Sequence, residues 1–158
     1  MLKYIGIVFL LAGLVGVYSS YRAYTERRLS ELSAFIKLIS GLKDEIELYS
    51  RPLGRYLSSF RDGALENAGV DFSGSCAEES YRRARGSLSV GESADETLLA
   101  FFSSVGSGGR EGEVARCERT VDKLRAIEEE ERIALGKNRT SVGAIFAAVG
   151  LTVTILVI

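Results

Sequence analysis

Apart from Lys3, the charged side chains of this sequence are confined to its middle. Tyr4 to Tyr21 holds no charged residue, and neither does Ser141 to Ile158, so two uncharged stretches of 18 residues flank everything else. As a helix rising 1.5 Å per residue, each stretch reaches roughly 27 Å, enough for the hydrocarbon core of a bilayer. Lipid offers no partner to a bare N–H or C=O, so such segments must be helical even where β-branched residues are frequent. The expected organisation is a transmembrane helix over residues 1–21, a cytoplasmic helical domain over 22–140 and a second transmembrane helix over 141–158.

The first stretch has a competing reading as a cleaved leader, with Lys3 as its basic start and Ile5–Val17 as its apolar body. No small-residue cleavage pattern follows. Tyr18, Tyr21 and Tyr24 come next, interleaved with Arg22 and followed by Arg27 and Arg28. Aromatic residues and then basic ones mark the interfacial end of a retained anchor. Arg22, Arg27 and Arg28 lie just inside the first stretch, and Lys137 and Arg139 just before the second. The positive-inside bias therefore puts the middle domain in the cytoplasm and both termini outside. Small residues repeat every fourth position at Ala12, Gly16 and Ser20, and again at Gly143 and Ala147. That spacing suits close helix pairing, between the two spans or with a partner's spans, a homo-oligomer included.

Setting Lys3 aside, the middle carries 19 basic and 21 acidic residues, so no broad basic field invites nucleic acid. Histidine is absent, which removes the commonest general base and the commonest metal ligand together. Cys76 and Cys117 are too far apart for a Cys-x-x-Cys motif and read as free thiols in a reducing compartment. No catalytic constellation, metal set or cofactor motif is expected.

Within the domain, residues 22–50 predict one long helix. Leu29, Leu32, Ile36, Ile39, Ile46 and Tyr49 form its apolar stripe, widened by Phe35, Leu38 and Leu42. Glu31, Lys37, Lys43, Asp44 and Glu47 are assigned to the opposite, solvated face. Pro52 ends this helix and opens another, which buries Leu53, Tyr56, Leu57 and Phe60. Residues 62–92 are weakly patterned, with a turn-rich run at 67–75 and a short polar helix over 77–85. Residues 92–105 predict a helix burying Leu98, Leu99, Phe102 and Val105.

The glycine cluster from Gly106 to Gly112 is not a phosphate loop. No apolar strand precedes it and no Gly-Lys-Ser/Thr closes it, so it reads as a helix connection. The final helix, 113–138, turns Val114, Cys117, Val121, Leu124, Ile127 or Glu128, and Leu135 inward. Its run Glu128–Glu131 fans out at 100° per residue, which suits a solvated face better than a metal cluster.

The layout resembles stage III sporulation protein AB, a component of the channel complex between mother cell and forespore in endospore-forming bacteria. The resemblance rests on a short amino-terminal anchor, on Leu29-x-x-Leu32, and on Glu45-Ile46-x-x-Tyr49-x-x-Pro52-Leu53-x-x-x-Leu57. The acidic helix around Glu128–Glu131 and the apolar carboxyl terminus complete it, and no motif carries across residues 62–97. It implies a soluble domain similar to the cytoplasmic helical domains of type II secretion F platform proteins. It also implies docking of a cytoplasmic ATPase encoded alongside, with a scaffold role and no chemistry of its own. Ile46, Leu53 and Leu57 are expected in the core, Pro52 as a stop, and Glu129 and Glu130 on a partner surface. A secretion or pilus platform outside sporulation and a two-span signalling adaptor are the other readings.

Overall fold

The computed structural model describes residues 2–49, 53–74 and 76–157, and side chains from 12 to 136 apart from Leu14 and those gaps. Its elements are α1 (Leu2–Asp44), a π-helical turn (Glu45–Tyr49), α2 (Leu53–Ser59), α3 (Gly63–Asn67) and α4 (Ala77–Ala84). A 3-10 turn (Arg85–Ser87), α5 (Glu92–Ser104) and α6 (Arg110–Val157) complete the order. Among the described residues every element is helical, in agreement with the all-α expectation. Residues 4–21 and 141–157 of the uncharged stretches lie inside unbroken helices, α1 and α6. Among the described residues no helix is long and apolar enough to cross a membrane. The side chains of residues 2–11 and 137–158, which include eight residues of the first stretch and all of the second, lie outside that set.

The chain divides into two compact units, one of Met1–Thr25 with Glu130–Ile158 and one of Glu26–Glu129. In the first unit Ala12, Gly16 and Ser20 are all exposed, as are Val15 and Val17. Gly143 and Ala147, the matching small residues of α6, lie outside the described side chains.

The second unit is built around α1. Leu32, Phe35, Leu38, Ile39 and Leu42 are fully buried, with Ala34, Ile36 and Ile46 beside them. Burying each such large apolar side chain contributes about 1.5–3 kcal/mol, which makes this stripe the main reason the helix docks. Tyr49 departs from the expected stripe and is exposed, because the last five residues wind as a π-turn that rotates it off the buried face. Glu31 departs in the other direction and is completely buried.

Opposite α1, Phe102 of α5 is an aromatic hub. Its ring centroid lies 5.1 Å from Tyr81, 5.1 Å from Phe72, 5.3 Å from Phe101 and 6.2 Å from Phe35. Tyr81 comes from α4 and Phe72 from the segment joining α3 to α4, so the turn-rich region supplies a plug to the core. Cys117, Val121 and Leu124 of α6 close the core as expected, while Val114 and Ile127 pack at its margin.

α3 is five residues long and exists through its ends. Asp62 caps it by accepting the Ala64 N–H at 2.9 Å. Gly69, at φ 74°, terminates it in a Schellman arrangement, with Val70 N–H bonded to Leu65 O at 2.9 Å and Gly69 N–H to Glu66 O at 3.0 Å. Gly41 shows why a glycine stands mid-helix in α1: a Cβ there would meet the Tyr56 hydroxyl at 2.0 Å. The Tyr56 ring, packed 6.1 Å from Phe60, lies across that gap and seats α2 on α1.

Candidate functional site

Three acidic side chains of the second unit are buried, and each fastens a connection. Glu31 accepts the backbone N–H of Ser89 at 2.6 Å and Nε of Arg27 at 2.8 Å, while Arg27 also donates to Ser87 O at 3.1 Å. The α4–α5 connection is thereby clasped to α1. Asp95 accepts the Tyr81 hydroxyl at 2.7 Å and Arg85 Nε at 2.7 Å, joining α4 to α5. Burial first, and then the bond to Asp95, pushes the Tyr81 phenol far above its ordinary range. Glu113 accepts Gly108 N–H at 2.8 Å and Arg116 Nη1 at 2.7 Å, and Arg116 in turn holds Ser104 O. The glycine-rich connection is therefore gripped by its own following helix, with Gly106 at φ 86°. A buried carboxylate is costly unless hydrogen-bonded and paired, and all three have an arginine. These clasps account for Glu31, which periodicity assigned to solvent, and for Asp95 and Glu113, which it left unassigned.

The residues of the Glu45–Leu57 signature divide by role. Ile46 and Leu57 are buried and Leu53 is half-buried against the core, as expected of structural positions. Glu45 is half-buried, Tyr49 is exposed, and Pro52 lies outside the described residues. The π-turn is held from α6: Arg110 donates Nε to Ile46 O at 3.1 Å and Nη2 to Glu47 O. A helix end leaves carbonyls without intrahelical donors, and this guanidinium supplies two of them.

α1 and α6 run antiparallel in this unit, since Arg110 meets Ile46 and Glu118 meets Lys43 at 2.8 Å. Ser40, Lys43, Asp44, Glu118, Asp122 and Arg125 line a groove of about 350 Å³ between them. The Lys43 ammonium is held above its ordinary value, first by its hydrogen bond to Glu118. Glu129 and Glu130 are both exposed on α6, consistent with an accessible surface there. Of the positions read as topology signals, Arg22 is exposed and Arg28 half-buried, while Arg27 belongs to the Glu31 clasp. The side chains of Lys137 and Arg139 lie outside the described set.

Both cysteines are free, Cys76 exposed and Cys117 buried. Burial, reinforced by the Glu113 charge, pushes the Cys117 thiol up to about 11. It is a core residue with its reactivity suppressed. Among the described residues no group of three or more Cys, Asp or Glu side chains is placed to hold a metal ion. The recognisable features of this unit are thus clasps and surfaces. No protein-family model, no curated protein and no solved structure matches this chain.

Proposed function

We propose that this chain is a non-catalytic membrane platform with two spans, whose cytoplasmic helical domain docks a soluble partner. The observation that carries the reading is the placement of the uncharged residues 4–21 and 141–157 inside the same helices, α1 and α6, that wall the domain. A helix that is apolar over one end and amphipathic over the other suits an anchor that continues into its own cargo domain. The exposed tyrosines Tyr21 and Tyr24 and the basic residues Arg22, Lys137 and Arg139 support an interface at those positions, with the domain on the cytoplasmic side.

The specific machine comes from the resemblance to stage III sporulation protein AB. On that reading the protein sits in the mother-cell membrane as a subunit of the channel to the forespore and engages a cytoplasmic ATPase. The experiment is extraction of the full chain from sporulating cells in mild detergent, followed by identification of what co-purifies. Recovery of a cytoplasmic ATPase and further membrane subunits is expected. Fractionation of the chain as a water-soluble protein would overturn the membrane reading. Membrane-bound recovery without an ATPase would overturn the sporulation-channel reading, and recovery with a vegetative secretion or pilus apparatus would move the chain to that class.

A further inference from the structure

Among the described residues of the Glu26–Glu129 unit, Leu48 and Tyr49 are the large apolar side chains that stand exposed, at 70% and 59%. They are adjacent, and they sit on a π-turn, an element that is rare and recurs at functional sites. An exposed apolar pair on a fraying helix end would be unremarkable. Here the turn is pinned from a second helix, because the Arg110 guanidinium holds Ile46 O and Glu47 O. That grip fixes the pair before any partner arrives, and preorganisation lowers the cost of ordering on binding. Three exposed carboxylates, Asp44 at the end of α1, Glu47 on the turn and Glu111 in the first turn of α6, accompany one cation, Arg110, whose guanidinium is already engaged by the turn's carbonyls.

We propose that the Leu48–Tyr49 knob is the docking point for a basic protein segment carrying a large apolar side chain. This rests on the platform reading and locates its partner surface on the π-turn, away from Glu129 and Glu130. Leu48 and Tyr49 supply the apolar contact, and Asp44, Glu47 and Glu111 select the basic flank. An apolar centre with a charged rim is the usual anatomy of a specific contact. The charge complementarity disfavours anionic lipid and a second copy of this same acidic turn.

The test is site-specific photocrosslinking in the full chain, expressed in its sporulating host, with p-benzoylphenylalanine at position 48, 49, 129 or 130. Adducts are expected at 48 and 49, with the captured peptide mapped by mass spectrometry to a basic, apolar-bearing segment of one cytoplasmic protein. Adduct yield at position 48 is expected to fall at least tenfold in the Asp44→Lys/Glu47→Lys variant, with its helical circular dichroism unchanged. Adducts at 129 or 130 alone would overturn this proposal and leave the platform standing. Adducts at 48 and 49 only to lipid, or to a second copy, would overturn the stated occupant. No protein adduct at any of the four positions would count against both the knob and the platform.

Discussion

Replacing Glu31 with alanine tests the clasp between α1 and the α4–α5 connection. The side chain is fully buried and accepts Ser89 N–H at 2.6 Å and Arg27 Nε at 2.8 Å. Truncation leaves the Ser89 amide without its acceptor, which costs about 1–3 kcal/mol. Loss of the buried methylenes adds about 1 kcal/mol. The Arg27 partner is half-exposed, so the lost ion pair adds less than about 1 kcal/mol. Relief of carboxylate desolvation offsets part of the sum, and the net expectation is about 2–4 kcal/mol. For a unit of roughly one hundred residues that lowers the melting temperature by about 10–20 °C. Glu31→Gln keeps an acceptor for Ser89 and should cost only about 1 kcal/mol. The assay is thermal denaturation of the full chain in mild detergent, followed by circular dichroism, with hydrogen exchange at the Ser89 amide as the local readout. A Glu31→Ala variant that melts within 2 °C of the parent, with Ser89 still protected, would refute the clasp.

Gly41→Ala should destabilise by about 1–2 kcal/mol, because displacing the Tyr56 ring outweighs the gain of about 1 kcal/mol in helix propensity. In a Tyr56→Leu background the same substitution should become neutral or stabilising, and thermal melts of the four proteins check the reversal. Asp95→Ala strands the Tyr81 hydroxyl and Arg85, and should cost about 2–3 kcal/mol once the half-exposure of Arg85 is discounted. Tyr81→Phe should cost about 1 kcal/mol, and a double-mutant cycle should show the two to be coupled. In the native protein a thiol reagent should label Cys76 and spare Cys117 until denaturant is added. The folded Cys117 thiol keeps its proton to about pH 11, whereas the unfolded thiol releases it near pH 9. Its contribution is therefore constant below about pH 9 and destabilises progressively from there toward pH 11. Comparison of pH-dependent melts with Cys117→Ala should isolate that slope.

The helices with long apolar periodicity were legible in the sequence. Leu32 through Leu42 of α1, Ile46 of the π-turn, Leu98 and Phe102 of α5, and Cys117 through Leu124 of α6 fall where the 3-4 spacing puts them. Of the short elements, α2 and α4 were legible as well, while α3 was not. α3 depends on one aspartate cap and one left-handed glycine around five residues, a signal local to its ends. Phe72 enters the core from a segment without periodicity, so nothing around it marks the side chain as buried. Glu31 was misassigned for a physical reason: helical spacing sorts residues by polarity, and a carboxylate with an arginine and an amide in reach can be buried against that rule. Tyr49 was misassigned because the π-turn breaks the 3.6-residue period just before it. Of the candidate surface, the exposure of Glu129 and Glu130 was foreseen, while the Leu48–Tyr49 knob depends on that same broken period.

The antiparallel pairing of α1 and α6 also fixes how the unit bears load. The chain enters it at Glu26 and leaves it at Glu129, at the same end, while the π-turn and Arg110 mark the other. Tension that draws those two points apart peels the helices open in sequence, one contact at a time, instead of straining all of them at once. The Arg27–Glu31 grip on Ser87 and Ser89 lies near the start of that zipper, and the Arg110 lock on the π-turn at its far end. Opening under a lateral pull would therefore begin at that clasp and reach the tip last.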